Sequence, residues 1–315
     1  MGDRLWRIAY IQGNYTEKFF WTIKGYIERI FLLFSLPKYD TVYIFMNVVP
    51  FGPAILERLY RALSRRIIYD VEDNMISNEP HNDRRIIGFL KSKKKYEYLI
   101  KKSDLVITSS PALSEKCNEI SGSKKSVFIP STLNEKRFLP GTSLVHKEKL
   151  TIGWTGTFSS KPYLDIVLPS LEALYKERDF KMKIIGNFEM ENPSLDLEVI
   201  QWNKENEVRD LQDIDIGLYP LPLNEWVSGK DGLKAMQYMS IGIPAVCTAV
   251  GNVLNMIDDG VDGILVFEEF EWKEKLKDII DDEIKRKMIG NNARKTFLSK
   301  FSKKSITELY LTALE

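Results

Sequence analysis

The chain is predicted to be an α/β protein with two Rossmann-like domains whose parallel sheets face a cleft. Three observations predict this. Short apolar runs alternate with amphipathic segments along almost the whole chain. The alternation is interrupted by a polar connection around Pro140 to Lys149 and then restarts. A length of 315 residues suffices for two domains with separate cores. Residues 1–145 form the first domain in this reading and residues 146–315 the second, with the last helix able to return to the first.

In the first block, strands are expected at Arg7–Ile11, Thr41–Met46, Arg66–Tyr69, Leu105–Thr108 and Val127–Ile129. Helices are expected at Glu17–Leu36, Ala54–Leu63, Ile86–Lys102 and Ala112–Ile120. In the second, strands are expected at Leu150–Trp154, Lys181–Ile185, Leu197–Ile200, Ile214–Leu218, Ala245–Thr248 and Ile264–Val266. Helices there are Tyr163–Arg178, Glu205–Gln212, Asp231–Ile241, Val253–Asp258, Trp272–Asp281 and a long C-terminal pair. Strands separated by helical patterns imply crossover connections, and ligands of such sheets bind beyond the strand C-termini.

Composition narrows the function classes. The hydrophobic fraction of 44% and charged fraction of 28% are those of a globular protein in water. Cys117 and Cys247 lie far apart, which fits a reducing cytoplasm and no disulfide framework. No secretory signal pattern and no run of about 18 apolar residues occurs. Net charge is +1, but residues 1–150 hold 25 Lys+Arg against 16 Asp+Glu, giving +9, and residues 151–315 hold 20 against 28, giving −8. A basic half beside an aromatic helix, Phe19-Phe20-Trp21 through Phe34, suits a peripheral contact with an anionic membrane surface; a core helix with solvated charges is the competing explanation. Nucleic acid is not an expected partner, since no binding motif is present and the acidic half repels phosphates.

The most informative stretch runs from Ser228 to Pro244. It reads as a glycine-hinged loop entering an amphipathic helix that stops at Gly242, with Pro244 preventing continuation. Lys230 precedes the helix and Lys234 lies in its first turn. A helix start exposes unpaired N–H groups, and lysines added there suit a phosphate-bearing ligand. The strand Ala245–Val250 follows and ends in Gly251-Asn252, where backbone can approach a ligand closely. Ser160 and Pro162 read as the N-cap and first turn of another helix, a second anion site.

The spacing Gly229-Lys230-x-Gly232-x-Lys234-x-x-Gln237-Tyr238-Met239-x-x-Gly242-x-Pro244 resembles the nucleotide-sugar site of retaining glycosyltransferases of family 4, in the bacterial branch reading G-K-x-G-x-K-x-x-Q-Y-M-x-x-G-x-P. Further likeness lies in Ile152-Gly153-Trp154-Thr155-Gly156-Thr157, Val199–Trp202, Asp213–Leu221 and Asp259–Val266. The acidic run Ile68-Tyr69-Asp70-Val71-Glu72-Asp73 adds to it in the first half. It covers about residues 40–300 and is strongest after 150. The N-terminal block is short against that family: either the acceptor-side domain is reduced or the chain lacks its natural beginning.

The resemblance implies transfer of a sugar from a nucleoside-diphosphate sugar to a glycan or lipid-linked glycan acceptor, with retention of anomeric configuration and no metal or other cofactor. It places the donor at Gly156, Thr157, Lys161, Trp202, Lys230, Asp231, Gly232, Lys234 and Gln237. Lys230 and Lys234 would stabilise the leaving diphosphate, helped by the N–H groups near Gly156-Thr157. Thr157 follows the glycine where many relatives have an arginine, a role Lys161 is a candidate to take over. Gln237 stands where many relatives carry a ribose-binding glutamate, and Gly229 replaces a second acidic residue. Glu72 and Asp73 take the place of a histidine–aspartate pair near the transferred sugar, as binders of sugar hydroxyls or as an acceptor base; capping of the next loop is the alternative. Asp213-Ile214-Asp215 offers only a weak metal pattern. Two rivals remain: a UDP-sugar 2-epimerase on the same architecture, and a non-catalytic subunit that binds nucleotide sugar or glycan.

Overall fold

A computed structural model describes residues 13–75, 93–141 and 149–315. The strand expected at Arg7–Ile11, the beginning of the helix expected from Ile86, and both histidines lie outside the described residues. The chain divides into two compact units, Met1–Phe128 and Ile129–Glu315, so the described residues 129–141 group with the second.

The first unit contains α1 (Tyr15–Leu32), β1 (Thr41–Phe45), α2 (Ile55–Leu63), β2 (Arg66–Val71), α3 (Lys93–Lys102), β3 (Leu105–Thr108), α4 (Pro111–Ser121) and β4 (Ser126–Phe128). The strands form a parallel sheet in the order β1-β2-β3-β4. Each adds beside its predecessor, as crossover helices require. The ends of α4 follow from sequence chemistry. Ser110 accepts a hydrogen bond from the Leu113 N–H at 3.1 Å, Pro111 opens the helix, and Gly122 closes it at φ 69°.

Helix α1 ends at Leu32 instead of reaching Leu36. Pro37 cannot supply an N–H to the preceding turn and disfavours helix at Leu36; a short 3₁₀ turn, Leu36–Lys38, follows instead. No residue of α1 is fully buried. Tyr26 and Leu33 pack against the core of the unit, and Tyr26 donates from its hydroxyl to the Phe51 carbonyl at 2.5 Å. Phe19, Phe20, Ile23, Ile27, Ile30, Phe31 and Phe34 are all exposed, Phe19 at 69% and Phe34 at 79%. At 3.6 residues per turn the six of these that lie in α1, Phe19 to Phe31, fall within an arc of about 120°. The helix thus turns an apolar stripe outward. Among the described residues no helix is long and apolar enough to cross a membrane.

The second unit contains β5 (Leu150–Thr155), α5 (Lys161–Leu164), α6 (Leu168–Tyr175), β6 (Phe180–Gly186), β7 (Leu197–Gln201), α7 (Glu207–Gln212), β8 (Ile216–Tyr219), α8 (Leu233–Ser240), β9 (Ala245–Thr248), α9 (Val253–Met256), β10 (Ile264–Val266), α10 (Trp272–Asp281), α11 (Glu283–Thr296) and α12 (Lys303–Leu314). All six strands are parallel, in the order β10-β9-β8-β5-β6-β7. The chain runs outward from β5 through β6 and β7, then returns to add β8 to β10 on the other side. The order reverses between β5 and β8. There the crossover helices leave on opposite faces, opening a crevice at the carboxyl ends of the two strands. Each of the two units is therefore a parallel α/β Rossmann-like fold.

The helix expected at Tyr163–Arg178 is two helices. Pro169, in the first turn of α6, cannot donate to the Asp165 carbonyl and crowds it, so 3₁₀-type bonds fill the gap: Val167 N–H to Leu164 C=O is 3.0 Å. The strand expected from Ile214 starts at Ile216. The Asp215 carboxylate accepts the Thr151 N–H at 2.8 Å and the Asp215 N–H returns to the Thr151 carbonyl at 2.8 Å, fastening the amino-terminal ends of β5 and β8.

At the opposite end of these strands, Tyr238 of α8 spans the crevice. Its hydroxyl accepts from the Thr155 N–H at 3.2 Å and donates to the Leu218 carbonyl at 3.3 Å. The ladder between β5 and β8 stops at Trp154↔Leu218, so a side chain completes it. The tyrosine ring reaches this position only because residue 217 has no Cβ, which would lie 2.2 Å from the ring. Gly217→Ala should therefore overpack the sheet and destabilise the protein by about 1–3 kcal/mol. Urea denaturation checks this: the midpoint should fall at an unchanged slope, and an unaltered midpoint would mean that the ring moves aside freely.

Candidate functional site

The lysine-bearing loop occupies the carboxyl edge of the second sheet. Gly232 enters α8 at φ 81°, a left-handed conformation that glycine adopts without steric cost. Asp231 caps the helix, accepting the Leu233 N–H at 3.0 Å, and its other oxygen accepts the Ser131 hydroxyl at 2.9 Å. Asp231 is thus engaged as a cap and a tether. The loop is gripped from behind by Gly251-Asn252. The Asn252 N–H donates to the Lys230 carbonyl at 3.0 Å and its side-chain amide donates to the Asp231 carbonyl at 2.9 Å. A Cβ on Gly251 would stand 2.9 Å from the Val227 carbonyl oxygen and 3.0 Å from that of Lys230. The glycine expected to approach a ligand approaches the loop's own backbone.

Lys234, the second residue of α8, places its ammonium 4.6 Å from the Trp154 ring centre, 5.9 Å from that of Tyr219, and 3.4 Å from the Ser160 hydroxyl. No carboxylate forms an ion pair with it among the described residues. Burial, joined by repulsion from the neighbouring Lys230, pushes its pKa down to about 7 against a partial offset from Asp231. Lys230 lies with its own ammonium 5.7 Å from the Trp226 ring centre. Two cationic side chains drawn toward aromatic rings, one without a carboxylate ion pair among the described residues, make the carboxyl edge electropositive at the sheet's crossing point. It is suited to an anion that brings its own charge.

Gly156 and Thr157 border this edge, but their N–H groups are already committed. That of Gly156 donates to the Ile185 carbonyl at 3.0 Å and that of Thr157 to the Ser160 hydroxyl at 3.0 Å. The expectation that they face a diphosphate is corrected accordingly. Gly156 contributes space, since a Cβ would fall 2.2 Å from the Trp154 indole. Thr157 and Ser160 form a reciprocal capping box. Helix α5 has only four residues, too few for a strong dipole at Ser160. Ser160 instead joins the two sides of the site, receiving both the Thr157 N–H and the Lys234 ammonium. Lys161 pairs with Asp165 at 3.3 Å, an exposed i,i+4 contact, and does not join the lysine cluster.

One turn after Lys234, the Gln237 amide nitrogen donates to the Glu207 carboxylate at 3.2 Å, as does the indole N–H of the half-exposed Trp202 at 3.3 Å. Arg137 completes the group with a 2.6 Å ion pair to Glu207. Glu207 and Arg137 were not among the expected site residues. Their signals in sequence are single polar residues far apart, without a spacing that joins them.

In the first unit, Glu72 and Asp73 follow the carboxyl end of β2. The Glu72 N–H contacts the Met46 sulfur at 3.3 Å and its carbonyl accepts the Ser109 hydroxyl at 2.6 Å. Met46 itself stands at φ 59°. These residues hold the edge at which ligands of parallel sheets bind. Asp213 and Asp215 lie at the other, amino-terminal, edge of the second sheet. Asp213 pairs there with Lys183 at 2.8 Å, and Asp215 with Thr151. Among the described residues no three His, Cys, Asp or Glu side chains converge as a metal site.

Comparison with known proteins agrees with this geometry. Residues 136–296 match the family described as Glycosyl transferases group 1. An uncharacterized glycosyltransferase of Methanocaldococcus jannaschii, MJ1178, is 27% identical over 160 residues, which are 47% of this chain and 43% of that protein; the match spans under half of the relative's length. Among solved structures, sucrose-phosphate synthase from Thermosynechococcus elongatus is similar at TM-score 0.68 and 14% identity, over 90% of this chain and 79% of that one. HepE from Anabaena, in complex with UDP and glucose, is similar at TM-score 0.70 and 14% identity, over 91% and 80%. TarM from S. aureus is similar at TM-score 0.67 and 15% identity, over 90% and 57%. At these identities the structures establish the GT-B fold alone. The family match spans half of the chain, including Gly156, Lys230, Lys234 and Gln237, and with it the chain belongs to the group 1 glycosyl transferases.

Proposed function

We propose that this protein is a retaining, metal-independent glycosyltransferase of the family 4 branch, moving a sugar from a nucleoside-diphosphate sugar to a glycan or lipid-linked glycan. The observation that carries this reading is Lys234: a partly buried ammonium beside a second lysine, at the crossing point of the second sheet, offset in part by Asp231 and ion-paired with no carboxylate among the described residues. A diphosphate supplies the missing charge. As the bond from the sugar's anomeric carbon to the phosphate oxygen breaks, negative charge grows on that oxygen. A cation held in place beforehand stabilises it without reorganisation. The lysines thereby bring the positive charge that a metal supplies elsewhere, while Asp213 and Asp215 are spent at the far edge of the sheet. Glu72 and Asp73 are assigned to the acceptor side, binding hydroxyls or receiving the acceptor proton. Solved relatives hold UDP and glucose in HepE and UDP in TarM, which makes UDP the first nucleotide to test.

The outward apolar stripe of α1 adds a partner. Six exposed large side chains on a helix that also carries Lys18 and Lys24, in the half of the chain with a +9 surplus, suit the headgroup layer of an anionic membrane, where a lipid-linked acceptor resides. The protein then works at the cytoplasmic face as a peripheral enzyme.

Lys230→Ala and Lys234→Ala should each weaken UDP binding by about 1–3 kcal/mol, read by calorimetry with the exposed Lys287→Ala as control. The bound anion raises the Lys234 pKa above its free value of about 7. Wild-type affinity should therefore decline as pH rises through 7, and this decline should vanish in Lys234→Met. The same variant should melt at a higher temperature than wild type. A lysine whose folded pKa lies below its unfolded one destabilises the fold fully below about pH 7, and the penalty fades toward pH 10. Unchanged affinity in both alanine variants would remove the diphosphate from this site.

With UDP-sugars as donors, sugar transfer or slow donor hydrolysis should persist in excess EDTA, and NMR of the product should reveal an unchanged anomeric configuration. Chelator-sensitive turnover restored by magnesium would overturn metal independence. A 2-epimerised sugar would favour the epimerase, and binding without turnover the non-catalytic subunit.

The protein should sediment with anionic vesicles at low salt, less at high salt, and hardly at all as Phe20→Glu/Phe31→Glu. Equal sedimentation with neutral vesicles, or none, would point to an acceptor in solution.

A further inference from the structure

We propose that Lys234 is a modification site: an acyl phosphate seated at the lysine loop transfers its acyl group to the Lys234 amine and thereby closes the site to nucleotides. The inference rests on the anion-binding reading of Lys230 and Lys234 and adds a covalent reaction to it.

The surroundings of Lys234 suit a nucleophile. Its nitrogen meets two aromatic rings, Trp154 and Tyr219, and one hydroxyl, that of Ser160 at 3.4 Å. None of these carries a negative charge that would hold the proton in place. The charged groups that face it are Lys230 and Asp231, both on its own loop. Burial first, and Lys230 second, lower its pKa to about 7, and Asp231 offsets this in part. At pH 7 about half of the side chain is then the neutral amine, against fewer than about one in a thousand for an ordinary lysine. A lysine desolvated and set beside another cation is an activated nucleophile. Two other described lysines also have a pKa lowered by burial, Lys95 and Lys125. Lys95 is fully enclosed against Glu57, out of reach of a reagent. Lys125 has its protons engaged by the Lys101 and Ser103 carbonyls at 2.8 and 2.7 Å. Lys234 joins a lowered pKa to partial exposure and a single hydroxyl contact.

The same loop selects the reagent. Lys230 and Lys234 repel each other and so lie within electrostatic reach, where one anion attracts both. An acyl phosphate carries its phosphate one oxygen away from a reactive carbonyl carbon. With the phosphate drawn to Lys230, that carbon is delivered to Lys234. The amine lone pair attacks the carbonyl carbon. The bond from that carbon to the phosphate oxygen breaks, and inorganic phosphate leaves with the bonding pair. The surplus proton on nitrogen passes to water. The product is a neutral amide, which no longer attracts a diphosphate.

The test is incubation of the full chain with acetyl phosphate at about pH 7, followed by peptide mass spectrometry. Lys234 should be acetylated at least about tenfold faster than the exposed Lys287. Saturating UDP should remove that lead. The lead should also shrink in Lys230→Ala, whose fold a melting curve verifies, and with N-hydroxysuccinimidyl acetate, an acyl donor without a phosphate. Protein acetylated at Lys234 should bind UDP about tenfold more weakly, the loss of one charge-assisted contact. Acetylation of Lys234 no faster than of Lys287 would overturn the inference while leaving the diphosphate site intact. An undiminished lead with the phosphate-free donor would overturn the choice of an acyl phosphate. Selective acetylation that UDP does not slow would leave the modification standing and remove the diphosphate from this site.

Discussion

The second unit is organised around a single constraint: the partly buried ammonium of Lys234, ion-paired with no carboxylate among the described residues. Burial and the neighbouring Lys230 disfavour its charged form, and the surrounding structure spends several specific features on keeping it there. Gly156 clears room for the Trp154 indole beside it, and Gly217 lets Tyr238 close the crevice beneath it. Asp231, tied to Ser131, begins the helix that carries it. Gly251 and Asn252 clamp the loop from the other side. The Trp154 indole nitrogen and the Asn252 side-chain oxygen, both in this neighbourhood, are buried without a hydrogen-bond partner. Orphan polar groups are uncommon in folded proteins and gather where function holds back optimal packing. A site that is incomplete until an anion arrives accounts for the unpaired ammonium.

The topology decides where this incompleteness can be tolerated. At the crossing point between β5 and β8 the sheet has lost its ladder bonds, and Tyr238 restores only two of them. At the other end of the same strands Asp215 and Thr151 exchange bonds in both directions. The two edges thus divide the work. The amino-terminal edge spends its carboxylates on stability, Asp213 on Lys183 and Asp215 on Thr151. The carboxyl edge carries Lys234, whose ammonium meets aromatic rings and the Ser160 hydroxyl.

Much of this was visible in the sequence, for physical reasons that also mark where vision ended. Alternating apolar runs and their glycine and proline punctuation located the ten described strands within two residues, because burial and turn chemistry act locally. The lysine loop was found because Gly229 to Pro244 compresses its chemistry into sixteen residues. The Glu207 group was invisible because Arg137, Trp202, Glu207 and Gln237 converge from four separate segments, and no period connects them. Backbone donors were misread for a related reason. Whether the N–H groups of Gly156 and Thr157 are available depends on Ile185 and Ser160, and a motif does not report its neighbours' hydrogen bonds. The break at Pro169 could have been taken from the sequence, since a proline inside a helical pattern ends the preceding helix.

The first unit follows a different logic. Its core encloses a fully buried pair, Glu57 and Lys95, 3.9 Å apart, with the lysine donating to the Val49 carbonyl at 2.6 Å. Burial raises the Glu57 pKa and lowers that of Lys95, so each group is held less readily in its charged form than in water. Such a pair adds little net stability compared with apolar packing, but removing one member alone is costly. It therefore fixes a unique position for the segment after β1, which runs from Met46 at positive φ to Phe51, the residue that Tyr26 of α1 grips. Through that chain of contacts a buried ion pair anchors a helix whose other face is apolar and wet. An exposed stripe of this size is unfavourable in water by itself, and a firm anchor keeps it from collapsing onto the unit's own core. The same principle then operates in both halves: rigid, internally satisfied contacts hold one group short of full satisfaction, the Lys234 ammonium in the second unit and the apolar stripe of α1 in the first.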